Sequence, residues 1–363
     1  MNKTLKINSA LAFASVAALA FGTAFAQDPT VKTVTPYGFA RFNAAWSDGI
    51  GGDAPNGTTS AAAKAEKGEY RFGVGATQSR LGFNFAGPSF EGGALLSGKI
   101  EGDFAPGTLR LRQGFANLSF PNVGLNILVG QTWDLFAPND PNVVNFGSLN
   151  TEGDLAGNRK TQIRLTQKLG SSADIAVAAV SKKTNSDNSG DYPGVQARIG
   201  INAPVKFGVS GHYSTGNTAS ADEDHSLDLP ATWGVAADLS AAVSIISLTG
   251  EFFYGQNLSA VAGLGKTHKE DGEDKGTNSL GGFGNIGIQA TDKLSFNLGA
   301  GIEYAGDNPE NELQTNGAGY ANLQYKLAPS ATVALEYFRQ QSEYVGGAKG
   351  NFNRVETSLT YAF

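Results

Sequence analysis

The residues whose types and spacing can do chemistry are mostly cationic. In TLRLRQ, Arg110 and Arg112 share one parity of an alternating stretch, which in a strand puts two guanidinium groups on one face about 7 Å apart. Arg41 and Arg80 lie on the polar parity of earlier stretches, and Lys99, Lys160, Arg164 and Lys168 on that of their own, with Arg198 and Lys206 following. Arginine keeps its charge at every relevant pH, and its planar donors suit a carboxylate or a phosphate. Arg110 and Arg112 with Arg80 and Arg41 read as a basic ladder along one wall that attracts anions. Taken singly, each is more simply a solvated charge with no selective task. The acids Asp134, Asp140, Glu152 and Asp154 gather in one segment, 134–158.

Other chemistry finds little support. Cysteine is absent, so there is no thiol chemistry and no thiolate metal site. His212, His225 and His268 are too scattered for a metal centre. His225 beside Ser226 raises a hydrolase as an alternative, but adjacent side chains usually point apart and no orienting group is evident. Gly265-Lys266-Thr267 lacks the upstream glycine and the strand-to-helix setting of a phosphate loop, and KTHKEDGEDKG lacks calcium-loop spacing. No catalytic residue, metal or cofactor is expected. A net charge of −6 leaves no footprint for nucleic acid.

The elements that must position the cations are strands. Lys3 and Lys6, an apolar run and Ala24-Phe25-Ala26 make residues 1–26 a secretory signal peptide, with a membrane anchor helix as the alternative. A short segment, 27–35, follows. From 36 to 363 a two-residue period returns in sixteen segments of about ten residues, the length a tilted strand needs to cross a bilayer. RKTQIRLTQKL is the plainest: Ile163, Leu165 and Leu169 oppose Lys160, Gln162, Arg164, Thr166 and Lys168. Short turn-rich connections alternate with long polar ones. Aromatics cluster at strand ends, with Trp46, Tyr213, Trp233, Tyr254 and Tyr304 near long loops and Tyr325, Tyr361 and Phe363 near short turns. A soluble β-sandwich reproduces the alternation but has no reason for two aromatic belts. The expected fold is all-β, a transmembrane antiparallel up-and-down barrel of about sixteen strands whose polar parity lines a water-filled channel rather than a core. In the last segment, Val355, Leu359, Tyr361 and Phe363 would face lipid and Arg354, Glu356, Ser358 and Thr360 the channel.

The leader, the opening PYGFARFNAAW, the segments TQSRLGF, LRLRQGFANLSF and LVGQTWDLF, and the terminal Phe363 together resemble Gram-negative outer-membrane porins, with the DcaP-like trimeric group nearest. The resemblance implies a homotrimer in the cell outer membrane and passive diffusion of small hydrophilic, often anionic, solutes. It also implies that 134–158 folds inward as a constriction loop and that Phe363 signals to the barrel-assembly machinery. Asp134, Asp140, Glu152 and Asp154 would then face the basic wall across a transverse field; the plainer alternative is an exposed acidic loop. A structural or adhesive outer-membrane barrel without transport is the competing function.

Overall fold

The computed structural model describes residues 33–48, 70–90, 92–105, 107–149, 152–155, 158–181, 193–215 and 230–363. The expected leader, most of 27–35, and His225 with Ser226 lie outside these residues. The strands are β1 (Thr33–Asp48), β2 in two pieces (Tyr70–Gly75 and Arg80–Ser89), β3 (Leu95–Asp103), β4 (Arg110–Phe120), β5 (Leu125–Trp133), β6 (Arg159–Leu169), β7 (Ala173–Val180) and β8 (Gly194–Asn202). They continue as β9 (Val205–Ser214), β10 (Thr232–Val243), β11 (Ile246–Gln256), β12 (Asn278–Gln289), β13 (Leu294–Ala305), β14 (Leu313–Ala328), β15 (Ala331–Tyr344) and β16 (Lys349–Ala362). Each pairs antiparallel with its neighbours in sequence, and β1 pairs with β16 from Phe39↔Ala362 to Asp48↔Asn353. The sheet therefore closes into a sixteen-stranded barrel with no open edge.

Alternation decides which face each side chain takes. On β16, Arg354, Glu356 and Ser358 are buried toward the lumen while Val355, Leu359 and Tyr361 are exposed outside. At the long-loop rim, Trp46 stacks on Tyr70 with centroids 5.3 Å apart, and Trp233 meets Tyr254 edge-on at 5.6 Å. Tyr325, Tyr361 and Phe363 are exposed at the short-turn rim.

Three departures from strict alternation matter. The second strand is interrupted: β1 pairs with its second piece over Thr33–Phe39 and with its first piece over Asn43–Asp48. At the gap, Ser79 Oγ accepts the Arg41 N–H at 2.9 Å, so a side chain satisfies the amide that the ladder leaves. In sequence a long connection ends at Tyr70 and no strand is assigned to 71–75. On β4 a bulge at Arg112, where Glu101 faces Gln113 and Gly102 faces Leu111, lets Arg110, Arg112 and Gln113 all reach lumen-side partners.

The third departure corrects an expectation, because the lumen parity is not a polar lining throughout. Phe283, Tyr320, Phe338 and Phe352 point inward on β12, β14, β15 and β16 and form a dry cluster with Leu149, with Val143 packed against it. A second cluster joins Phe136, Ala137 and Leu155 to Ala236 and Phe253 of the wall and to Leu258 and Val261 of the 257–277 connection. That connection opens with a 3-10 turn, Leu258–Val261, and carries a small hairpin, His268–Glu270 with Glu273–Lys275.

Candidate pore wall and inner segment

Arg41, Arg80, Arg110, Arg112 and Arg159 share one inner wall, and all have partners. Glu101 and Asp103 of β3 hold the arginines on either side. Arg112 donates from Nε to Glu101 at 3.0 Å and from Nη1 to Asp103 at 2.6 Å. Arg110 Nε meets Asp103 at 2.7 Å, and Arg80 reaches Glu101 at 3.7 Å. Tyr37 also donates to Glu101 at 2.8 Å. Rings support the same cations: the guanidinium carbons of Arg159 and Arg112 lie 4.8 and 5.4 Å from the Trp133 centroid, and Lys99 Nζ lies 5.0 Å from that of Tyr37. Four guanidinium groups, those of Arg80, Arg110, Arg112 and Arg159, thus lie in the field of two carboxylates.

The 134–158 segment bonds to inward-facing groups around the other wall. The Leu135 N–H donates to Gln196 on β8 at 2.8 Å, that of Ala137 to Ser210 on β9 at 3.2 Å, and that of Asn139 to Glu251 on β11 at 3.1 Å. Asn142 follows onto Asn285 and Asn297. The Val144 N–H donates to Glu336 on β15 at 2.6 Å, its carbonyl accepts from Arg41 on β1, and Asn145 Nδ2 donates to Glu356 on β16 at 2.7 Å. Phe146 lies against the arginines, its centroid 4.4 Å from the guanidinium carbon of Arg41 and 5.7 Å from that of Arg80. The segment then turns back at Leu149, whose φ of 66° is left-handed. Glu152 accepts from Asn316 on β14 and Gln340 on β15.

Wall glycines make room for this close approach. A Cβ on Gly301 would overlap the Glu152 carbonyl oxygen, and one on Gly234 would sit 2.7 Å from the Phe136 ring. Burying Phe136, Leu149 and Leu155 contributes about 1.5–3 kcal/mol each. Wall carboxylates and amides satisfy backbone N–H groups that would otherwise be orphaned.

Solved structures share the fold. The outer membrane channel DcaP of Acinetobacter baumannii superposes with a TM-score of 0.76 at 20% identity, over 91% of this chain and 97% of that one. OmpT, an outer membrane protein of Vibrio cholerae, gives 0.62 at 11% identity, covering 91% and 97%. Salmonella typhi OmpF, in complex with daunomycin, gives 0.60 at 14%, covering 91% and 97%. The fold is that of the outer-membrane porins. No protein-family model matches the sequence, and no curated protein does.

Within this porin fold the residues singled out from sequence separate into groups. Arg41, Arg80, Arg110 and Arg112 lie on one wall, with Lys99 beside Tyr37. Lys160 is fully buried in the field of Asp134, and Arg164 donates to Gln162 at 2.8 Å and to the Trp133 carbonyl. Lys168 is exposed near the short-turn rim. Among the four acids, Asp140 is exposed in the field of Arg112, Arg159 and Arg80. Asp134 is buried against Gln196, at 2.9 Å. Glu152 and Asp154 are buried, and burial lifts the Glu152 carboxyl well above the usual carboxylate range. Asp140 has those arginines as its electrostatic partners, whereas Asp134 has Lys160 and Arg164 and Glu152 has Arg354.

Sequence reasoning missed the roles of Glu101 and Asp103, although both alternate with apolar neighbours on the parity of Lys99. It also missed Glu251, Glu303 and Glu336 of the far wall and, for Glu356, which it placed toward the channel, the donor it holds; all four hold backbone or side-chain donors of inner segments.

Proposed function

We propose that the protein is an outer-membrane porin for passive diffusion of small hydrophilic solutes, with a preference for anions. The observation that carries the preference is the arginine wall of β1 to β6 with exposed Asp140 opposite it. Counting Arg80, Arg110, Arg112 and Arg159 against Glu101, Asp103 and Asp140 leaves a positive balance where solutes would pass. Segment 134–158 acts as the constriction loop. It covers the acidic far wall, so a permeating ion meets the arginines rather than Glu336 or Glu356. The membrane is the cell outer membrane of a Gram-negative bacterium, reached by export after cleavage near Ala26, and the working assembly is a homotrimer. Phe363 marks the last strand for the barrel-assembly machinery.

The protein in a planar bilayer should give large, open ion steps, and reversal potentials under a salt gradient should favour anions. Arg110→Ala combined with Arg112→Ala should reduce that preference. Silence in the bilayer would sink the pore and leave a structural or adhesive barrel, while an unchanged reversal potential would remove the role of the arginines.

A further inference from the structure

The outer face carries a groove of about 970 Å³ across β11 to β15. Its floor is one cross-strand row of small residues, Gly250↔Gly284↔Ala300↔Gly319, and the same row continues directly to Arg339. The row beside it is large and apolar, Leu248↔Ile286↔Leu298, and ends through Ala321 at Tyr337. With strands about 4.8 Å apart, Gly250 to Arg339 spans roughly 19 Å.

Register also fixes how the groove runs through the bilayer. On β15, Arg339 is two residues nearer the long-loop rim than Tyr337, which shares a row with Val355 and the belt residue Trp46. On β13, Ala300 is four residues further from that rim than Tyr304, which shares a row with Leu280 and Tyr254. The row therefore starts above one stretch of the aromatic belt and passes below the next, as expected for tilted strands. Arg339 stands at headgroup depth, and Gly284 and Gly250 stand in hydrocarbon. Among the described residues, Arg339 has Asn353 Oδ1 at 3.3 Å and no carboxylate within ion-pair distance. A cation on the lipid face is costly unless something answers its charge.

We propose that this groove is a lipid site that seats one acyl chain of a phosphate-bearing membrane lipid, with the phosphate held by Arg339. The narrow, slanted apolar channel fits a single extended chain, and the guanidinium at its shallow end fits an anionic oxygen fork. The site rests on the bilayer placement and not on an open pore or its selectivity, so conductance and lipid binding fail separately.

The test uses the full protein, delipidated by detergent exchange and titrated in native mass spectrometry with dimyristoyl phosphatidic acid, dimyristoylglycerol or inorganic phosphate. One phosphatidic acid should be retained per chain. Arg339→Gln and Gly284→Leu should each weaken that retention about tenfold, and the uncharged diacylglycerol should bind about tenfold less tightly than phosphatidic acid. A Cβ at Gly284 meets nothing within 4 Å, so filling the groove there leaves the wall undisturbed; unchanged conductance would verify the fold. Equal retention by the parent and both variants would overturn the site. So would equal binding of diacylglycerol, full displacement by equimolar phosphate, or loss of oligomers on Gly284→Leu, which would mean that a second copy fills the groove.

Discussion

Asp140→Asn gives the sharpest view of how the wall selects. The substitution keeps the side chain's size but removes an acid of 134–158 that has Arg80, Arg112 and Arg159 as electrostatic partners. A unit charge one Debye length from a permeating ion, ~10 Å in 0.1 M salt, contributes about 0.4 kcal/mol in water before screening and about 0.15 after it. It acts with opposite sign on anion and cation, so removing it should shift the permeability ratio toward anions by about 0.3 kcal/mol, or roughly 1.7-fold. In 0.01 M salt, where the Debye length is ~30 Å, the shift should grow to about 0.6 kcal/mol, or roughly 2.7-fold. The assay is the reversal potential under a fixed tenfold gradient at two mean ionic strengths. Glu152→Gln is the control, because that carboxyl is buried against Asn316 and Gln340 and should leave selectivity unchanged. A shift that ignores ionic strength, or an equal response to Glu152→Gln, would refute the reasoning.

Three other outcomes are expected. Arg112→Ala removes a charged hydrogen bond from each of two buried carboxylates, leaving Asp103 to Arg110 and Glu101 to Arg80 and Tyr37, and should cost about 1.5–3 kcal/mol in urea unfolding. Gly301→Ala drives a methyl into the Glu152 carbonyl and should loosen 134–158 from the wall, seen as faster protease cleavage within the segment and noisier conductance. Burial pushes the Asp134 carboxyl up to about 6, against the opposing hydrogen bond from Gln196 and the charges of Lys160 and Arg164. The folded state then binds this proton more readily than the unfolded one, so its contribution to stability grows as pH falls through 6 and is lost as pH rises. From pH 7 to 5 the gain is about 1 kcal/mol, and Asp134→Asn should remove it from the difference between unfolding midpoints at the two pH values.

Much of the fold is legible in the sequence because a strand crossing a bilayer must alternate and must be about ten residues long. Ile163, Leu165 and their polar neighbours make β6 unmistakable for that reason. Strand ends are less legible: β14 and β15 run on to Leu313 and Tyr344, where Thr315 and Gln341 look like loop, because the ladder continues past the lipid and no longer needs greasy side chains. The basic wall is legible as a set, since parity alone groups Arg41, Arg80, Arg110 and Arg112. Their partners are not, because Glu101 belongs to Arg112 only through a bulge that no local pattern announces. The inner apolar cluster left one clue, aromatic residues on an otherwise polar parity. Phe338 between Glu336 and Gln340 is such a case, and its partner, Leu149, lies almost two hundred residues away.

The contacts of Val144 and Asn145 also bear on the order of assembly. Every neighbouring strand pair but one joins segments adjacent in the sheet and close in sequence, whereas the seam joins Phe39 to Ala362. Such a distant pairing carries the largest loop-closure entropy and is the natural last step. Val144 accepts from Arg41 on one side of that seam, and Asn145 donates to Glu356 on the other. The inner segment thus stitches the barrel shut from within. Its contacts to Arg41 and Glu356 can both exist only once β1 and β16 lie side by side, so they add to the seam after it forms rather than before.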